Sequence, residues 1–219
     1  MLNPLFRKEL RELLPLALVG IVAQLYFVGT AMGMQLGPLG GNNRMGAIPF
    51  VSEETSGWFF YVAGTLALAL GLWQTLLEST RGTFQFLLHR PISREKILGT
   101  KLLVGGATCL VIAVLPVAVY SLWAATPGTH TSPFLWSMTA WAWHLCVEMP
   151  VVYLGAFLSG LRPARWFGSR FLPLAAAVFV LAACQVLSAW WWLTLPASVA
   201  VAACFVLVIL DVGGRRDFS

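Results

Sequence analysis

The forty residues from Phe171 to Leu210, FLPLAAAVFVLAACQVLSAWWWLTLPASVAVAACFVLVIL, contain no Asp, Glu, Lys or Arg. A helix needs about 20 mostly apolar residues to cross the hydrocarbon core of a bilayer. This stretch is therefore long enough for two membrane spans, and we expect a tight turn near Ser188–Trp192 to join them. The alternative is one span together with a re-entrant pair of short helices.

Four further apolar runs, each long enough for one span, precede this stretch, so the sequence predicts six spans in total. They cover approximately residues 13–36, 58–77, 102–125 and 134–161. The whole chain is 58% hydrophobic and only 11% charged, whereas about a quarter of the residues of a soluble domain are charged. The sequence therefore predicts an all-α, polytopic transmembrane bundle. We expect residues 1–219 to form a single transmembrane domain, since neither an internal repeat nor a Pro/Ser-rich linker divides them.

The basic residues fall almost entirely on one side of this arrangement. Of the 14 Lys and Arg residues, 13 lie in segments on the same side as the N-terminus, and Arg44 alone lies on the other. Cytoplasmic loops carry an excess of Lys and Arg. We therefore expect both termini in the cytoplasm and the chain in the plasma membrane, that is, a bacterial inner membrane. The net charge of +5 does not indicate nucleic-acid binding, because the charges form short clusters between spans.

Residues 1–12, MLNPLFRKELRE, have an amphipathic pattern. Apolar side chains recur at helical spacing and charged ones occupy the other face, which is typical of a helix that lies in the membrane surface against lipid. The alternative is a plain extension of the first span.

The segment between the second and third predicted spans carries the strongest local signals. A short helix is expected after Gly82, and Pro91 ends it, because the residue before proline disfavours the helical conformation. Ser93 can then cap the helix of the third span. The pattern predicts a stiff, charged helical elbow in the cytoplasm, suited to binding a partner domain. An ordinary basic loop held by lipid headgroups is the alternative.

The same region resembles the permease subunits of type-2 ABC exporters. The resemblance rests on a Glu that ends span two, the motif RGT at 81–83, the pattern LLxxPxSR at 87–94 and a Lys that opens span three. The segment FRKELRE at 6–12 is also similar, more weakly, to the interfacial helix of that family. It implies that two permease copies pair, as a homodimer or with a sister chain, and that each binds a separate ATPase through a coupling segment at 79–95. The residues to which it assigns coupling or docking are Glu78, Arg81, Gly82, Phe84, Arg90, Pro91, Ser93, Arg94 and Lys101. Many members carry a long outer segment before the last span, which this chain replaces by the short turn at 188–192.

No phosphate-binding loop of the form GxxxxGK[ST] is present in the sequence. We therefore expect ATP hydrolysis to come from a partner subunit. In this interpretation the chain itself has no catalytic residue, cofactor or metal ion. Two alternatives stay open: a membrane-embedded enzyme that uses His144 and Glu148, and a structural or regulatory membrane protein that transports nothing.

Three of the polar residues inside the predicted spans, Gln24, His144 and Glu148, are candidates for a translocation path. An ionisable group in mid-membrane is costly and points to a functional site. His144 and Glu148 lie four residues apart, on one helical face. Three interpretations of Glu148 stay open: a protonated group bonded to a neighbouring span, a member of a polar or proton-coupling path, and a metal ligand or catalytic group together with His144.

Gly29, Gly33 and Gly37 repeat every four residues near the outer end of span one. Small residues at this spacing allow two helices to approach closely. The pattern fits either a dimer contact or packing within the chain.

Overall fold

The computed structural model describes residues 2–34, 48–51, 53–81, 93–162 and 167–215. Within these ranges the secondary structure is helical, with no β-strand. The six long helices are α1 (Leu2–Ala31), α2 (Glu53–Arg81), α3 (Arg94–Ala125), α4 (Ala140–Leu161), α5 (Phe167–Val186) and α6 (Trp191–Arg215). Two short 3-10 turns, Trp136–Thr139 and Ser188–Trp190, precede α4 and α6.

All six helices are long and apolar enough to cross a membrane, their apolar stretches ranging from 19 to 32 residues. This is the architecture of a multi-pass membrane protein. The forty uncharged residues form most of α5 and most of α6, with the turn at Ser188–Trp190 between them. The prediction of two helices of span length joined by a turn is therefore confirmed, and neither helix is a short half-span of the kind that the re-entrant alternative requires.

The first helix differs from the prediction at both ends. It is continuous from Leu2 to Ala31, so residues 2–12 are its first turns and the structure does not separate an interfacial helix from the first span. It also ends earlier than residue 36. Gly33 adopts a φ of 84° and the amide of Met34 bonds the carbonyl of Gly29 at 2.9 Å, which is the left-handed glycine termination common at helix ends.

Helix α4 is the centre of the bundle and packs against α2, α3, α5 and α6. Every residue from Val151 to Leu161 is buried. Its neighbours approach closely through glycines. A Cβ at Gly71 of α2 would overlap the carbonyl oxygen of Tyr153, and one at Gly160 of α4 would overlap the side chain of Thr75. Small residues at such contacts let membrane helices pack backbone to backbone.

The helices alternate in direction, so the bundle has two distinct ends. At the end where α1, α3 and α5 begin, which we call the basic end, Arg94 donates to the carbonyl of Gly214 at 3.3 Å. Arg170 donates there to the last carbonyls of α4, those of Ser159 and Gly160, at 3.3 and 3.4 Å. Cations at helix C-termini are favourable, because those carbonyls have no partner within the helix.

The opposite end is closed by an aromatic cluster, which consists of Phe50, Phe59, Tyr120 and Trp141. Phe50 is 2% exposed and has a φ of 63°, an unusual conformation for a residue with a side chain. The indole Nε1 of Trp141 donates to the Phe50 carbonyl at 2.7 Å. This bond fixes the backbone of residues 48–51 over the ends of α2, α3 and α4.

Replacement of Trp141 by Phe should therefore lower the free energy of unfolding by about 1 kcal/mol, the typical value of one hydrogen bond. The aromatic contacts are retained while the donor to Phe50 is lost. Trp136, whose side chain is 58% exposed, is the matched control, and Trp136→Phe should change stability less. Equilibrium unfolding in mixed micelles measures both. Equal effects of the two substitutions would contradict the role assigned to the Trp141 bond.

Candidate functional site

The residues assigned to coupling flank the segment 82–92. Glu78 and Arg81 belong to the last turn of α2, Ser93 directly precedes α3, and Arg94 is the first residue of α3. Gly82, Phe84, Arg90 and Pro91 lie outside the described residues. The coupling segment predicted at 79–95 is thus described only at its two helical ends.

Helix α3 begins where the sequence predicts, but its cap differs. Ser93 is the N-cap residue and has an extended backbone, with φ −61° and ψ 138°. Its side chain makes no capping hydrogen bond, whereas its carbonyl accepts from the amides of Lys96 and Ile97 at 3.0 and 3.3 Å. The position was predicted correctly and the side-chain bond was not.

Lys101 lies in the interior of the bundle. It is 1% exposed, as is Glu9 of α1, and its Nζ donates to Glu9 Oε1 at 2.7 Å. A lysine at the start of span three was expected to be a coupling or docking residue. The prediction that Lys101 contacts a partner protein is wrong, because a side chain this buried cannot reach one.

Two more helices join this ion pair through hydrogen bonds. Gln74 of α2 donates through Nε2 to the Lys101 carbonyl at 3.3 Å. The hydroxyl of Tyr153 of α4 donates to Gln74 Oε1 at 2.6 Å and lies 3.4 Å from the Lys101 carbonyl. We call these four residues, Glu9, Gln74, Lys101 and Tyr153, the polar network; none is more than 5% exposed.

Glycine makes room for the network. A Cβ at Gly105, one turn after Lys101, would overlap both the Tyr153 hydroxyl and Gln74 Oε1, whereas one at the adjacent Gly106 would meet no atom within 4 Å. The Gly105–Gly106 pair is thus asymmetric. Gly105 allows Tyr153 to reach the α2–α3 contact, and Gly106 has no such function.

The polar network connects the two helices that flank the segment 82–92 to the rest of the bundle. Gln74 lies seven residues before Arg81 and Lys101 seven residues after Arg94, a rise of about 10 Å along each helix. Buried polar groups interact strongly in a low-dielectric interior, and an unpaired one is costly. The arrangement therefore favours joint movement of α1, α2, α3 and α4 at the basic end.

Sequence reasoning missed Glu9, Gln74 and Tyr153. A signal for Glu9 was present, since it is the one charged member of a stripe at four-residue spacing with Leu5, Leu13 and Ala17. Those four residues are all buried, at 8% exposure or less. Gln74 lies inside the second predicted span, so its carboxamide was a signal of the same kind as that of Gln24, whereas Tyr153 is an ordinary residue for a span and carries no comparable signal.

Glu148 occupies a different interface. It is 2% exposed and accepts a hydrogen bond from Nε2 of Gln185 of α5 at 2.7 Å. The His144 ring instead packs on Trp191 of α6, with centroids 6.2 Å apart. The structure thus agrees with the interpretation in which Glu148 is bonded to a neighbouring span.

The metal and path interpretations have less support. Cys146 points away from Glu148 and donates through Sγ to the Ala113 carbonyl of α3 at 3.4 Å. In the part of the chain that the structure describes, no three His, Cys, Asp or Glu side chains are grouped as a metal site requires.

Gln24 is also buried, at 1% exposure, and its Nε2 has no hydrogen-bond partner among the described residues. It lies one turn after Gly20, where α1 faces Leu66 of α2 and Ile112 of α3. Glu148 faces α5. The three predicted path residues therefore do not meet in one path.

The predicted glycine stripe is not on one helix. Gly29 is buried within α1, but Gly33 terminates the helix with its positive φ. Gly37 lies outside the described residues. The prediction of a packing stripe through Gly33 is wrong, because a residue beyond the helix end does not share the helical face.

Comparison with known proteins gave no match: no protein-family model, no curated protein and no solved structure is significantly similar to this chain.

Proposed function

We propose that this chain is the membrane-spanning permease subunit of an ABC exporter. A separate ATPase subunit supplies the energy and binds at the segment 79–95, and a second permease copy completes the transporter. The basic end of the bundle faces the cytoplasm of a cell whose plasma membrane holds the protein. The outward direction of transport follows from the family resemblance.

The polar network is the observation that carries this proposal. An ATPase that pushes on the segment between α2 and α3 displaces the ends of both helices. Gln74 and Lys101 lie on these two helices, and the buried bonds to Tyr153 and Glu9 transmit the displacement to α4 and α1. Rigid-body movement of packed elements is a common way to alternate between two conformations.

An enzyme that uses His144 and Glu148 is supported less well. Their side chains contact different helices, Trp191 of α6 for His144 and Gln185 of α5 for Glu148. A general acid and base pair would need both groups directed at one reacting centre.

Charge reversal at Arg90 tests the docking assignment. We expect Arg90→Glu to reduce copurification of the proposed ATPase partner by about tenfold, because loss of a charge pair at a protein interface costs about 1.4 kcal/mol or more. Pull-down in mild detergent measures this, together with ATP hydrolysis by the complex.

Arg162, exposed at the C-terminus of α4, is the matched control. It lies at the same basic end but directly after α4, outside the segment 79–95, so Arg162→Glu should leave the complex intact. An ATPase that binds both variants as well as it binds the unmodified chain would refute the docking assignment. So would a partner without a phosphate-binding loop.

A further inference from the structure

Two carboxyl groups are deeply buried in the described bundle, and their surroundings differ. Glu9 lies 2.7 Å from the ammonium group of Lys101. Glu148 has a neutral partner, the carboxamide of Gln185, at 2.7 Å. Within the described residues, no Lys, Arg or His nitrogen lies within 4 Å of the Glu148 carboxyl.

A charged carboxylate in this position is costly. Transfer of an ion into an apolar interior stays strongly unfavourable even after relaxation, unless an opposite charge and further hydrogen bonds compensate it. Glu148 lies eight residues into α4, roughly 12 Å from the helix start. One neutral hydrogen bond does not compensate a full charge at that depth.

The neutral acid fits the observed partner better than the carboxylate does. A protonated carboxyl has one O–H donor as well as its carbonyl acceptor, and a carboxamide has both an acceptor and donors. The pair Glu148–Gln185 can therefore make two reciprocal bonds when the acid is protonated. The ionised form has acceptors only and can receive no more than the single bond from Nε2.

We propose that Glu148 is a proton-binding site, whose carboxyl holds one exchangeable proton in the interface between α4 and α5. This function is separate from the ATPase-driven transport proposed above. When the proton leaves to water, the remaining carboxylate must gain water, and α5 is displaced from α4 to admit it. The two helices are therefore packed together when Glu148 is protonated and further apart when it is ionised.

The other titratable groups on α4 and on the helices packed against it do not replace the proton. The arginine of α5, Arg170, binds the carbonyls of Ser159 and Gly160, at least eleven residues further along α4. His144 lies one turn nearer the aromatic end, is partly exposed and packs on Trp191. Among the residues whose side chains the structure describes, the remaining titratable groups on these helices are Cys146 and Tyr153 of α4, Tyr61 of α2, Arg94, Glu95, Lys96, Lys101, Cys109 and Tyr120 of α3, Cys184 of α5, and Cys204 and Asp211 of α6.

A lipid-soluble carbodiimide is a direct probe of this site. The reagent adds to a protonated carboxyl: the acid oxygen bonds to the central carbon, the acid proton passes to a nitrogen, and rearrangement leaves a stable acylurea without a leaving group. We would treat the purified protein in liposomes with dicyclohexylcarbodiimide at a series of pH values and locate the adducts by peptide mass spectrometry. The internal control is Glu9, which is equally buried but paired with a cation.

We expect Glu148 to be labelled at least about tenfold more than Glu9, because the buried ion pair keeps Glu9 ionised. Labelling of Glu148 should decrease as the pH rises and the proton is lost. Sodium ions should not protect it, and Glu148→Gln should abolish the adduct.

Three results would overturn the proposal: no labelling of Glu148 at any pH, labelling of Glu9 to the same extent, or protection by sodium at constant pH, which would identify a metal cation as the ligand. The experiment needs neither ATP nor an ATPase, so its failure is distinguishable from failure of the proposed transport function.

Discussion

Replacement of Lys101 by Met should lower the free energy of unfolding by about 3–5 kcal/mol, the usual cost of removing one partner from a buried ion pair. The methionine side chain has nearly the length of lysine but no charge, so Glu9 is left as a buried carboxylate without its cation. Both side chains are 1% exposed, and water cannot replace the ammonium group without opening the contact between α1 and α3. Unfolding in mixed micelles, followed by helical circular dichroism, measures the loss.

A second substitution separates charge from packing. Glu9→Gln combined with Lys101→Met removes both charges, and a buried ion pair replaced by neutral groups of similar size is often tolerated. The double variant should therefore recover most of the lost stability. Lys8, whose side chain is 35% exposed and 3.9 Å from Glu9, is the control, and Lys8→Met should cost less than about 1 kcal/mol. A double variant as unstable as Lys101→Met alone would mean that the pair does not act through its charges.

Substitution of Gly71 by Ala should destabilise the contact between α2 and α4 by about 1–3 kcal/mol, as expected for overpacking of a closely packed site. A Cβ at this position would overlap the Tyr153 carbonyl oxygen and lie 2.8 Å from both Ala156 Cβ and the Phe157 amide nitrogen. Two of these neighbours are backbone atoms, which cannot rotate away. The two helices must therefore separate, and the nearby Gln74–Tyr153 hydrogen bond weakens with them.

Gly64 provides the matched control on the same helix. A Cβ there meets no atom within 4 Å, and alanine favours a helix over glycine by up to about 1 kcal/mol. Gly64→Ala should therefore leave stability unchanged or increase it. The same unfolding assay compares the two, and equal stabilities of the Gly71 and Gly64 variants would show that α2 and α4 are not in close backbone contact.

The spans were predictable because their signal is local. Hydrophobic length alone gives the six helices, and the uncharged stretch at 171–210 divides at the polar Ser188, where the 3-10 turn lies. The end of α1 was predicted five residues too late, because the hydrophobic run continues to Leu36 although Gly33 already ends the helix with a positive φ. Hydropathy measures the affinity of a segment for lipid and does not detect backbone termination.

The polar network was not predictable from a single sequence. Glu9 and Lys101 are 92 residues apart, and their contact depends on how α1 is rotated against α3. An amphipathic pattern at 1–12 is equally consistent with a helix in the membrane surface and with a helix whose one charged position faces a partner helix. Lys101 at the start of a span resembles an exposed cytoplasmic residue until the position of α1 is known. Glu148 was easier to identify, since a carboxyl in mid-span is costly in any packing, but its partner Gln185 follows only from the tertiary structure.

The central claim is that an ATPase binds the segment between α2 and α3, and site-specific photo-crosslinking tests it most directly. A photoreactive phenylalanine analogue at position 84, in intact cells, should crosslink to a protein that carries a phosphate-binding GxxxxGK[ST] loop. The same analogue at Leu135, exposed near the opposite end of the bundle, should not. The absence of that crosslink from position 84, a crosslink to such an ATPase from position 135, or labelling of Phe84→Cys by a membrane-impermeant maleimide added outside the cell would contradict the account.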